Sequence, residues 1–136
     1  MLLPHHADID ARRAISPVSV ATDTAQVSQI IDLSGVSFLE FVIATGSIAD
    51  ADATFTVLVE HGDQPTLSDA AAAPDSDLLG LESEAAFNFA SDDQTRQIGY
   101  IGAKRYVRLT ITPSGNAAAA LISCVALCGK KKVGSI

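Results

Sequence analysis

The sequence predicts an all-β domain: a β-sandwich, a jelly-roll-like fold or a barrel of about seven to nine strands. Short runs rich in Val, Ile, Thr and Phe recur at residues 27–33, 37–45, 54–60 and 104–112. Two of them alternate apolar and polar residues with a period of two, the mark of a strand with one buried face. Turn clusters separate the runs at short spacing, among them Ser34-Gly35, Asp50-Ala-Asp-Ala53 and Pro113-Ser-Gly-Asn116.

A chain of 136 residues suits one domain. Its 48% apolar content supplies a core without disulfide or metal, and the weight falls on Ala, Val, Ile and Leu, because Trp is absent and aromatics are only 5%. No apolar run approaches the roughly 20 residues of a membrane-spanning helix. The opening Met-Leu-Leu-Pro-His-His lacks the basic and apolar regions of a secretory signal, so a soluble chain not exported by that route is expected.

Residues 1–24, interrupted by Pro4 and Pro17, read as an extended N-terminal arm that ends by joining the sheet. Residues 25–129 form the β domain, and 130–136 a short basic tail. Val27–Leu33 is the first strand of the body. Ser37–Thr45 is apolar on both faces apart from Glu40, which places it centrally or at an interface. In Thr54–Glu60, Phe55, Val57 and Val59 point one way and Thr54, Thr56 and Glu60 the other. A long excursion follows over 61–82. Thr66–Ala73 reads as one helical turn stopped by Pro74, and Glu84–Ala90 as a short strand. In 104–112, Val107, Leu109 and Ile111 face inward; Lys104, Tyr106, Arg108, Thr110 and Thr112 face outward. Ala117–Cys128 is the last strand, apolar on both faces and rich in small residues that permit close approach.

Charge is segregated. Thirteen acids and no Lys or Arg lie between Asp32 and Asp93; all nine bases lie outside, within a net charge of -7. Such an acidic middle opposes nucleic-acid binding, which rests on Lys and Arg neutralising phosphates. Two readings remain: a solvated acidic surface, or a polarised one that meets partners or copies of the chain. The stripe Lys104, Tyr106, Arg108 is the basic counterpart that could pair with a neighbour's acids.

Reactive constellations are scarce. His61 and Asp63 form a turn or part of a metal or acid–base site, but His5 and His6 sit far away in the sequence. The Asp pairs 50/52, 75/77 and 92/93 fit turns; none has the EF-hand spacing, and weak calcium binding stays open. Cys124 and Cys128, about 13 Å apart on a strand, are too distant for a disulfide and read as core thiols; the alternative, a zinc half-site, lacks a second Cys or His pair nearby. Nucleophile-elbow, P-loop and dinucleotide motifs are absent, and the Gly99–Gly102 pair reads as a bend. The expectation is a chain with no catalytic role, cofactor or metal.

The run Asp92–Thr112, with Phe55–His61 and Asp77–Gly80 before it, resembles small proteins encoded beside the major capsid gene in tailed bacteriophages and prophages. The resemblance spans roughly residues 10–128, and it assigns no functional residues. It implies a virion structural protein: a capsid decoration or cement protein, made in the host cytoplasm, that binds the major capsid protein on the head exterior as a homotrimer. Alternatives are another virion part, such as a head–tail connector, tail or fibre-base protein, and a small carbohydrate-binding or hydrolytic β-sandwich. The residues themselves point the same way, toward docking: Arg12, Arg13, Phe38, Phe41, Lys104, Tyr106 and Arg108 are the candidate interface residues.

Overall fold

The computed structural model describes residues 1–131; the expected basic tail lies, from Lys132 on, outside them. The chain folds as two antiparallel sheets packed face to face. One holds five strands in the order β1 (Ile9–Val20), β11 (Ala120–Lys130), β4 (Val36–Ile48), β9 (Thr95–Tyr100) and β7 (Leu78–Leu79). The other runs β2 (Gln26–Val27), β10 (Tyr106–Ser114), β5 (Thr54–Gly62) and β6 (Ala71–Ala72), with β3 (Ile31–Asp32) also on β10 and β8 (Phe87–Asn88) on β5. From β3 onward most connections cross between the layers. The strands number eleven among the described residues, above the expected count, because five are two-residue pairings at the sheet margins.

Alternation builds the core. Phe55, Val57 and Val59 of β5 and Val107, Leu109 and Ile111 of β10 point inward, as their period of two requires. They meet Leu39, Phe41 and Ile43 of β4, Ile98 of β9, and Ile122, Cys124 and Ala126 of β11. Phe55 stacks on Phe87 at 4.7 Å between ring centroids. Cys124 and Cys128 are free and buried, and burial pushes the Cys124 thiol up to about 12.

Four segments depart from the sequence reading. Most of the expected arm is a strand: β1 pairs with β11 from Ile9 opposite Gly129 to Val20 opposite Ala120. Irregularities between Arg13 and Ile15, and between Ile15 and Val18, bring Ala14, Ile15 and Val20 inward and hide the alternation. Pro17 is tolerated because β1 is an edge strand. The strand expected over 27–33 breaks at Ser28–Ile30, which closes one side of the sandwich: Ser28 N–H donates to Leu109 C=O on one layer and Gln29 N–H to Ala14 C=O on the other. No helix forms over 66–73, because the open edge of β5 takes Ala71–Ala72 as β6. The helical turn is α1 (Glu82–Ala85), where a strand was expected to begin.

Among the described residues no helix is long and apolar enough to cross a membrane.

Candidate docking surface

The outer faces of the two sheets differ in composition. Outside the β10–β5 layer, Arg108 lies opposite Glu60, Thr110 opposite Leu58, Thr112 opposite Thr56 and Ser114 opposite Thr54. That layer is mixed: Thr and Ser side chains and the Arg108–Glu60 pair stand beside the exposed Leu58 at 37% and Val27 at 55%. Outside the five-stranded layer, register sets two rows of side chains across the strands. One runs Ala11, Leu127, Glu40, Gly99, Leu79; the next runs Arg13, Val125, Val42, Gln97. Leu121 and Phe38 extend the face toward its two ends. Exposure there is large for apolar side chains: Leu79 52%, Phe38 46%, Leu121 44% and Val125 40%. Exposed apolar surface contiguous over neighbouring strands marks an interaction site, whereas single exposed apolar residues do not.

This surface explains why β4 and β11 are apolar on both sides. In β11, Ile122, Cys124, Ala126 and Cys128 serve the core while Leu121, Val125 and Leu127 serve the outer face. Glu40 is the lone acid of the face. Its carboxylate lies over Gly99, where a Cβ would collide with it, and takes a hydrogen bond of 3.3 Å from Gln97 Nε2. Loss of solvent beside this apolar surface pushes its carboxyl above the usual range, against the weaker effect of Gln97.

At the end of the face where β4 begins, a groove of about 450 Å³ opens, lined by Leu33, Val36, Phe38, Ile101, Lys104, Arg105 and Lys131 among others. Its wall is fixed by hydrogen bonds. Tyr100 Oη accepts the Lys104 backbone N–H at 3.1 Å and lies 2.8 Å from His61 Nδ1, to which its own proton is available. Burial, the largest influence, raises the Tyr100 pKa. His61 is therefore a partner of the Tyr100 phenol, with Asp77 at 3.9 Å. Asp63 turns away to Lys104, at 2.9 Å, while Asp69 accepts the Asp63 and Gln64 N–H groups. Among the described residues no group of three or more His, Cys, Asp or Glu is placed to hold a metal. Asp50 closes its own turn by accepting the Asp52 N–H and also takes that of Ala117, while Asp92 accepts the N–H of Ile48, 44 residues away.

The seven candidate interface residues scatter. Phe38 and Arg13 lie on the outer face. Phe41 does not: at 0% exposure it belongs to the core, because odd-numbered residues of β4 face inward over this stretch. Tyr106 is also buried, with the Arg105 guanidinium 5.1 Å from its ring centroid. Arg12 ties its own strand to the other layer, donating to Asp10 Oδ2 and to Asp32 C=O at 2.8 Å each. The stripe of bases meets acids of its own chain: Lys104 pairs with Asp63, Arg105 with Asp32 and Arg108 with Glu60. Three of the bases that lie outside the acidic middle are thus paired with its acids within the fold. The outer-face residues Val42, Leu79, Leu121, Val125 and Leu127 were not singled out in the sequence; the two-faced greasiness of β4 and β11 was their only signal.

One of these pairs gives a pH prediction. The Arg105 guanidinium, with help from the Ser34 N–H, holds the Asp32 carboxyl down at about 2. A depressed carboxylate contributes stability above its unfolded pKa and loses it as pH falls through the folded value. The pair is largely exposed, so solvent screens that contribution to a small one. A carboxyl-detected NMR titration should place the Asp32 midpoint near pH 2, and Arg105→Ala should raise it. An ordinary midpoint in the unaltered chain would contradict the pairing.

No protein-family model matches the chain, and no curated protein sequence matches it. Several solved structures share its fold. The PBSX exported protein XepA superposes with a TM-score of 0.56 and 15% identity over 90% of this chain, which spans 38% of that one. A chain of the capsid of Ralstonia phage GP4 superposes with a TM-score of 0.55 and 11% identity, over 97% of this chain and 91% of that one. The CBM22-1–GH10 modules of Clostridium thermocellum endo-1,4-beta-D-xylanase 10B, complexed with xylohexaose, give 0.52 and 12%, over 93% and 25%. At such identities the likeness is one of fold.

Proposed function

We propose that this chain is a virion structural protein, a decoration or cement protein that docks onto the major capsid protein on the exterior of a tailed-phage head, and that it is not an enzyme. The observation that carries the reading is the apolar surface on the outer face of the five-stranded sheet, where Phe38, Leu79, Leu121 and Val125 are exposed. A cement protein needs two adhesive surfaces, one for the shell and one for its own copies, and the chain has two: the sheet face and the base-lined groove at its end. Charge and shape complementarity serve such contacts without any reactive group. The likeness in fold to a chain of a phage capsid, nearly end to end in both, supports the same reading. The acidic remainder of the surface keeps crowded copies from aggregating.

A second reading, carbohydrate binding, draws on the fold shared with the xylanase modules. The surface favours it less. Sugar platforms use exposed aromatic rings, and here both tyrosines are buried and Phe38 and Phe89 are the exposed rings among the described residues. Quantitative mass spectrometry of purified particles separates the readings. Copies comparable to the major capsid protein are expected for decoration. A small fraction of that number would mean a connector or tail part, and absence from particles would overturn the virion reading.

A further inference from the structure

We infer that the outer face of the five-stranded sheet is covered by a second copy of this chain, in a two-fold pair with β11 packed on its own counterpart; this rests on the face being a docking surface. The argument comes from two charges. Among the described residues Glu40 has only the neutral Gln97 amide as a hydrogen-bonding partner, and no base forms an ion pair with it. Arg13, exposed on β1 two strands away, stands beside the neutral Gln29 amide and is likewise outside the ion pairs of the described residues. One acid and one base on one face, each without its counter-charge, make that face self-complementary.

Register gives the fit. A two-fold axis along β11 sets β1 of one copy over β4 of the other, since the sheet order is β1, β11, β4. Arg13 then lies over the partner's Val42, one step of two residues from Glu40, or roughly 7 Å along the strand. With sheets stacked about 10 Å apart, an extended arginine and glutamate close that gap. Both pairs form at once, because a two-fold contact repeats every interaction. Leu121, Val125 and Leu127 meet at the axis. The three overlapping strands span roughly 15 by 33 Å, which buries roughly 1,000 Å² over both copies, the least a specific interface needs. The arrangement is a dimer, in place of the trimer that the capsid-protein resemblance implies, and it leaves the groove beside Lys104, Arg105 and Lys131 as the surface for the shell.

Sedimentation equilibrium of the full chain at about 100 μM tests it, with far-UV circular dichroism to verify folding. The unaltered chain should be dimeric. Glu40→Arg and Arg13→Glu should each weaken association at least tenfold, and the double exchange should restore it, since it returns both pairs with reversed polarity. A monomeric unaltered chain, or a double exchange no tighter than the single ones, would overturn the pairing. Failure here with abundant copies on particles would leave the virion reading standing; a rescued dimer that is absent from particles would do the reverse.

Discussion

Phe41→Ala should lower the free energy of unfolding by about 3–5 kcal/mol, the range for truncating a fully buried phenylalanine. Phe41 sits on β4 in the middle of its sheet, flanked in register by Ala126 on β11 and Ile98 on β9. Ala126 is too small to fill the space between the layers, so the Phe41 ring fills it, and truncation leaves a cavity that neighbouring strands cannot close. Phe38→Ala, three residues earlier on the same strand, removes the same ring from the outer face and should cost less than about 1 kcal/mol. Urea denaturation of both variants checks the contrast. Equal losses would mean that the two rings are not on opposite faces.

Glu82→Ala should cost about 1.5–3 kcal/mol, the range for a hydrogen bond to a charged group whose partner is left buried. Glu82 Oε2 accepts the Val59 backbone N–H at 2.7 Å, and Val59 C=O accepts the Ala73 N–H. The side chain thereby does what a neighbouring strand would do at that point of β5, and it pins α1 to the second sheet. Glu82→Gln keeps an acceptor of the same length and should recover most of the loss in the same denaturation experiment. A Glu82→Ala chain as stable as the unaltered one would show that water replaces the carboxylate.

These two positions also show what the sequence could reveal. In β5 and β10 alternation is strict, so inward residues such as Val59 and Leu109 could be read directly. In β4 the run Phe38-Leu-Glu-Phe-Val-Ile43 is apolar on both faces, and nothing local says whether odd or even positions face the core. Phe38 and Phe41 therefore looked equivalent, and only pairing with β11 and β9 separates them. β1 reads as an arm that only ends in the sheet because its irregularities shift parity twice within six residues of Arg12. The ion pairs were illegible for another reason: Lys104 and Asp63, Arg108 and Glu60, and Arg105 and Asp32 lie 41, 48 and 73 residues apart. The docking face was half legible. Its greasiness shows in β4 and β11, but its continuity arises only when register aligns Val125 with Val42 and Leu127 with Glu40.

The account stands on that face being the part of the molecule that holds it in an assembly. The direct measurement is the copy number of a Val125→Asp chain in purified particles, beside that of the unaltered chain produced at the same level. Val125 is exposed, so the variant should fold, and a carboxylate at the centre of the face should cut incorporation at least tenfold, or by at least about 1.4 kcal/mol. A folded Val125→Asp chain incorporated as fully as the unaltered one would contradict the account.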